Sequence, residues 1–188
     1  MKRALAAIIS FLALCSPAAA DALSPWTSPP GLSSTLQLTS TTTGYTSGQL
    51  IATSATAASV VVPSFAIPQG YQSAAIPRVR LSTNDSTSTA WGAQTVTVDL
   101  WGAAPTFTNG DRGAYSPATG TANHLGSYSC VMSSEYGDGA YAECAAAVGN
   151  FSLSSVSGGK IFWSLTATSG SGTTGASKVF TLTPEFWF

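Results

Sequence analysis

The chain holds one histidine, three cysteines and eight acidic residues among 188, so acid–base, nucleophilic or metal chemistry would have to be assembled from few groups. A Ser-His-Asp arrangement would use His124 as base, a serine from elsewhere in the chain, and Asp99 or Asp111 to orient the ring. No Gly-x-Ser-x-Gly elbow marks that serine. A loop histidine is the expectation, because imidazole is the commonest catalytic base but is not in itself a sign of catalysis. Asp85, Asp111 and Asp138 stand in the turn sequences Thr83-Asn84-Asp85-Ser86, Asn109-Gly110-Asp111 and Tyr136-Gly137-Asp138-Gly139, where Asp bonds its own turn backbone. Asp111 and Arg112 could pair across a loop, a contact that contributes little when exposed. A glycosidase needs two acids flanking one cleft, and the spacing supplies no such pair. Calcium at the Asp85 or Asp111 loop would lack the acidic spacing of a calcium-binding loop, and no phosphate-binding glycine loop is present. These residues predict no catalytic centre, no cofactor and no metal.

The cysteines carry a different chemistry. Cys130 and Cys144 flank Tyr136-Gly137-Asp138-Gly139, with Gly137 midway between them. A hairpin folded about Gly137 would set the two cysteines opposite one another on antiparallel strands, with Cα atoms roughly 4.5–5.5 Å apart, inside the range of a disulfide. The alternatives are two buried thiols or half of a metal site, and with a single histidine the chain offers no full set of nitrogen and sulfur ligands. Cys15 lies in an apolar N-terminal run. Lys2 and Arg3 precede that run, Ala4 to Leu14, and Ala18-Ala19-Ala20 follows it. This is the pattern of a secretory signal peptide, too short to span a bilayer. Leu12-Ala13-Leu14-Cys15 is a loose match to a lipoprotein box.

Charged residues make up 8% of the chain and the net charge is −1, against roughly 25% charged in an ordinary soluble domain. Such a surface is polar but uncharged and repels its own copies weakly. Seven Lys and Arg, two of them in the first three residues, form no basic stripe, which argues against nucleic acid. The organisation read from the sequence is a signal-like segment over 1–20, an extended proline-rich arm over 21–34 and one β domain over 35–188.

Strand-like runs recur at short spacing: 35–39, 48–53, 59–65, 72–83, 94–101, 126–133, 140–148, 151–154, 160–168 and 177–186. The clearest is Val96, Val98 and Leu100 alternating with Thr95, Thr97, Asp99 and Trp101, the period of a half-buried strand. A turn-rich connection follows through Pro105, Gly110 and Gly113. The Ser/Thr/Gly tracts at 82–90 and 168–177 read as long hairpin loops at one end of the fold. No helical period with caps occurs after the N-terminal run. Many short strands with polar turns predict an all-β antiparallel sandwich, jelly-roll-like.

Trp91, Trp101, Phe107, Tyr115, Tyr128, Phe162, Trp163 and Phe180 fall on or beside these strands, and packing is favoured over a sugar platform for them. Trp26 in the arm and Phe186, Trp187 and Phe188 at the C-terminus are the candidate interface residues. A terminal phenylalanine after an export signal is a feature of outer-membrane barrels. Pro184 in the last strand and the lack of aromatic girdles oppose that reading, and no stable membrane insertion is expected.

Four features in order carry a family resemblance: Tyr45-Thr46-Ser47-Gly48; Ile76-Pro77-Arg78-Val79-Arg80-Leu81-Ser82 with its Asn84-Asp85 turn; Val96–Trp101 with Pro105-Thr106 and Asn109–Ser116; and Leu125-Gly126 with Lys178–Leu182. Over about residues 36–183 the chain resembles the small β-sandwich virion proteins of tailed phages and prophages, of minor structural, head-decoration or cement type. The resemblance implies a jelly-roll-like fold, no catalysis, a place in the virion, and partners that are other virion proteins or copies of the chain itself. Gln49 replaces the acidic residue that often follows the Tyr-x-x-Gly turn. The signal-like segment and the cysteine pair also depart from the pattern. They keep an alternative open, an exported cell-surface or periplasmic module binding through its aromatic side chains, as in an adhesin or glycan-binding domain.

Overall fold

Period-two burial builds the strands. In β5 (Thr95–Trp101) Val96, Val98 and Leu100 enter the core, and in β12 (Lys160–Ala167) Ile161, Trp163, Leu165 and Ala167 do the same. The computed structural model describes residues 32–38, 44–67, 73–85, 91, 93–119, 121–135, 139–145, 151–152, 156–169 and 177–187. Among them there is no α-helix, and every strand pairing is antiparallel.

Two sheets pack face to face. The larger runs β1 (Ser34–Gln37), β13 (Val179–Trp187), β4 (Ser73–Thr83), β10 (Gly139–Ala145) and β9 (Ser133–Glu135), with β11 (Phe151–Ser152) beside β4. The smaller runs β2 (Gln49–Ile51), β12, β5 and β8 (His124–Val131), with β3 (Ser64–Ala66) beside β12. Taking β1, β2, β4, β5, β8, β10, β12 and β13 as the principal strands, one sheet reads first, eighth, third, sixth and the other second, seventh, fourth, fifth. That order is the jelly roll, two interlocked Greek keys.

The topology corrects the expected loops. The tracts after β4 and after β12 are not hairpins: each connection crosses from one sheet to the other. Their described flanks do share one end, where Asn84 N–H donates to the Val179 carbonyl at 3.2 Å and Val179 N–H donates to Asn84 Oδ1 at 2.8 Å. The turn-rich connection after β5 holds two short strands absent from the expectation, β6 (Thr106–Phe107) and β7 (Pro117–Thr119).

Proline placement follows the hydrogen-bond pattern. In β4 the buried set shifts from Ala74 and Ile76 to Val79, Leu81 and Thr83, so one extra residue is accommodated at Pro77 and Arg78. The register against β13 shifts there as well. A proline in a central strand is tolerated at such an irregularity. Pro184 does not interrupt the last strand. β13 runs through it, paired to Val79 on the β4 side, and β1 ends its pairing at Leu182, so the missing N–H removes no bond to β1.

The main core fills the space between the sheets. Trp91 stands edge-on to Phe180 with centroids 4.9 Å apart. Trp163, Tyr128, Ile76, Leu81 and Leu100 are fully buried around it. A second apolar cluster of Leu50, Ala52 and Phe107, with Val60, Val62 and Tyr115 against it, lies where the connections after β2 and β5 meet.

Cys130 and Cys144 are bridged, with Cα atoms 5.0 Å apart. The route differs from the expected cross-strand pair. β9 and β10 do form a hairpin in the register centred on Gly137, pairing Glu135 with Gly139 and Ser133 with Tyr141. In that register Cys130 would face Cys144. The chain leaves the larger sheet at Met132, however, and Cys130 pairs with Val96 in the smaller sheet while Cys144 pairs with Val79 in the larger. The bond therefore ties one sheet to the other at the corner where they converge.

Candidate functional site

The residues capable of chemistry gather on the outer face of the smaller sheet. Odd positions of β5 point away from the core, and the register places Ser164, Asp99 and Ser127 in one row across β12, β5 and β8. Phe162, Trp101 and His124 form the next row. His124 opens β8 and is not a loop residue. Asp99 has only 9% of its side chain exposed.

Asp99 Oδ1 accepts the Ser127 hydroxyl and lies 3.1 Å from His124 Nε2, and Ser127 Oγ is itself 3.1 Å from the same nitrogen. The imidazole rests against Trp101, centroids 4.8 Å apart. Trp101 Nε1 donates to Ser164 Oγ at 3.0 Å, and the Tyr115 hydroxyl reaches the same oxygen at 3.2 Å from the connection after β5. Burial pushes the Tyr115 hydroxyl well above its ordinary range, and the nearby Asp99 charge adds to the rise.

This is a Ser, His and Asp set, but its geometry is a closed triangle. A relay needs the serine on one ring nitrogen and the carboxylate on the other, so that a proton taken from serine leaves a stabilised imidazolium. Here one nitrogen faces both oxygens, and the serine hydroxyl donates to the carboxylate. The arrangement fixes the start of β8 on β5, with the Ser127 hydroxyl directed at the Asp99 carboxylate and the same ring nitrogen of His124 beside both oxygens. Sequence reasoning reached His124 and Asp99, had Trp101 and Tyr115 only as packing aromatics, and missed Ser127 and Ser164. His124 and Ser127 are three apart, which puts them on opposite faces of a regular strand. The register shift between Leu100 and Trp101 inserts one extra residue in β8 and returns both to one face.

Asp111 holds a separate clip. Its Oδ1 accepts the Tyr45 hydroxyl at 2.7 Å and the Ala52 N–H at 2.9 Å. The backbone beside it follows suit: Asp111 N–H donates to Ser54, Arg112 N–H to Leu50, Leu50 N–H to Gly113 and Tyr115 N–H to Gly48. The Arg112 guanidinium stacks over Tyr45 at 4.9 Å. Burial raises the Asp111 carboxyl above its usual value, against the bonds from Ala52 and Tyr45 that favour the ion. Gly110 is required here, since a Cβ would run into the carbonyl of Ala55.

Asp85 is buried near Lys178, Oδ1 to Nζ 3.7 Å. Among the described residues no three of His, Cys, Asp and Glu converge as a ligand set. Of the aromatic candidates for an interface, Phe186 belongs to the core, 3% exposed and edge-on to Phe65 at 5.8 Å. It continues the inward alternation of Phe180 and Leu182, so its ring is inside the sandwich and not at a contact surface. Trp187 closes β13 opposite Ala75, while Trp26 and Phe188 lie outside the described residues. Comparison of the chain with protein-family models, with curated protein sequences and with solved structures returns no match.

Proposed function

We propose that the chain is a non-enzymatic structural protein of a virion, in capsid decoration or a minor structural role, acting through contacts with other virion proteins or with its own copies. The jelly roll is an architecture of viral capsid domains and of lectins, and a fold alone does not select between such uses. The observation that carries the reading is the Asp111 clip. Tyr45–Gly48 and Asn109–Ser116, two of the segments on which the virion resemblance rests, bind each other through Tyr45, Asp111, Gly48 and Tyr115. Motifs far apart in sequence thus form one structural unit, and their polar groups serve the fold. The Asp99, Ser127 and His124 triangle is likewise turned inward on itself.

The test is recovery of the chain from gradient-purified particles of a producing cell. Peptides in amounts comparable to a capsid component, reduced when residues 23–34 are deleted, support the proposal. Full recovery in the soluble fraction with none on particles overturns it.

The Cys130–Cys144 bridge favours a second reading, an exported binding module, because disulfides persist in oxidising compartments. Glycan-array binding by a purified monomer would support that reading.

A further inference from the structure

The sheet edges are unequal. β1 has four residues, β9 three, and the far edge of the smaller sheet is divided between β2 and β3 with three each. β8 has eight residues and, among the described residues, pairs as a strand with β5 alone. Edge strands of soluble proteins are guarded by shortness, charge or proline, because a bare edge accepts another strand. The other edges use shortness. β8 uses none of the three over His124-Leu125-Gly126-Ser127-Tyr128-Ser129-Cys130-Val131, apart from the ionisable His124 at its first position.

The direction of its free groups follows from β5. The Thr95 carbonyl accepts from Thr168 and Ser169 on the β12 side. Backbone direction alternates along a strand, so Val96, Val98 and Leu100 face β8. Their partners Cys130, Tyr128 and Gly126 face back, which turns the N–H and C=O of Ser127, Ser129 and Val131 outward. Met132, one step further, agrees: it donates to Gln94 and accepts from Ala93. Ser127, Ser129 and Val131 are also exposed as side chains, Val131 at 61%.

We propose that this edge pairs antiparallel with β8 of a second copy, joining two smaller sheets into one continuous sheet. The proposal deepens the assembly reading and rests on it. Charge selects the occupant. A two-fold antiparallel pair sets the His124 end of one strand against the Val131 end of the other, so the one ionisable side chain never meets itself. The centre offers only Ser127 and Ser129. Small hydroxyls give a foreign strand little to recognise, whereas identical uncharged edges pair through the backbone without like-charge repulsion. The exposed ions of the sheets lie elsewhere. Arg78, Arg80, Glu143 and Glu185 occupy the outer face of the larger sheet, and Lys160 is two strands from β8. A net charge of −1 adds little repulsion between copies.

Sedimentation velocity on the oxidised full chain tests this, beside a Ser129→Lys/Val131→Lys variant whose replaced side chains are exposed and whose disulfide and circular dichroism are checked. The expected result is a wild-type dimer and a folded variant whose dimer is weakened about tenfold or more by like charges on the paired edge. A wild type that stays monomeric, or a dimer that survives the double substitution, overturns the pairing. Particle recovery separates the levels. Monomeric wild type that is retained on particles overturns the self-pairing alone, and if the variant is then lost from them, the edge binds a foreign strand. Monomeric wild type absent from particles overturns the assembly reading as well.

Discussion

The buried hydroxyl of Tyr128, on β8, crosses the sandwich and donates to the carbonyl of Ile76 in β4. Ile76 is the last residue before the extra residue that β4 carries at Pro77 and Arg78. Among the described residues Ile76 has no residue opposite it in the registers of β4 with β10, β11 and β13, and a tyrosine from the opposite sheet bonds its carbonyl. Replacing Tyr128 by Phe keeps the ring and orphans that carbonyl, which costs about 1–3 kcal/mol. Urea unfolding checks it through a lower midpoint at unchanged slope, and an unchanged midpoint would show that the bond contributes nothing net.

The disulfide closes a sequence separation of 14 residues, and a loop of that size stabilises by about 3 kcal/mol in the chain-entropy treatment. Reduction, or Cys130→Ala with Cys144→Ala, is expected to lower the melting temperature markedly. Thermal melts with and without a non-thiol reductant measure the difference, which should vanish in the double variant.

Asp111 gives a pH dependence of definite sign. Its carboxyl sits above its ordinary 3.8 in the folded chain, chiefly through burial. A group that holds its proton more tightly when folded stabilises the fold as pH falls through the raised value, and that stabilisation is complete below the unfolded value. Wild type should therefore gain on Asp111→Asn as pH drops from 7 towards 4, measured as the difference in urea midpoints. A difference independent of pH would show that the carboxyl is not perturbed. Asp111→Ala removes the acceptor for Tyr45 and Ala52 and should cost about 1–3 kcal/mol at neutral pH, a cost that grows as the pH falls and the folded carboxyl takes up its proton.

The Ser127 hydroxyl donates its hydrogen bond to Asp99 and not to the ring of His124, so it should behave as an ordinary serine. A fluorophosphonate probe is expected to leave it unlabelled in the native chain. Stoichiometric labelling that disappears in Ser127→Ala, together with hydrolase activity lost in His124→Ala, would establish a nucleophile and overturn the non-enzymatic reading.

Gly110→Ala drives a methyl into the Ala55 carbonyl, a backbone atom that cannot swing aside. Overpacking of this kind costs about 1–3 kcal/mol. Faster hydrogen exchange at the Ala52 and Arg112 amides would locate the damage at the clip.

The sandwich was legible wherever alternation was unbroken, as in Val96, Val98 and Leu100, and the turn at Gly137 announced both a hairpin and the cysteine pair. What escaped was each place where the period fails. The extra residue in β8 hid the partnership of His124 with Ser127. The extra residue at Pro77 hid the change of inward set in β4. The sheet change at Met132 converted an expected cross-strand bridge into one between sheets. β6, β7 and β9 are two or three residues long, too short to show a period at all. Phe186 was misplaced by its nearness to the chain end, although its spacing from Phe180 and Leu182 already put it on the inner face.

The bridge between sheets also sets how the molecule carries mechanical load. A strand held by hydrogen bonds on one side alone peels away one bond at a time when pulled from its end. Among the described residues β8 is such a strand, but its peeling stops at Cys130, where the pull passes through sulfur into β10 and from there into β4 of the opposite sheet. Tension applied to this rim is shared by both layers of the sandwich, and rupture there requires shearing strands of the larger sheet or breaking a covalent bond.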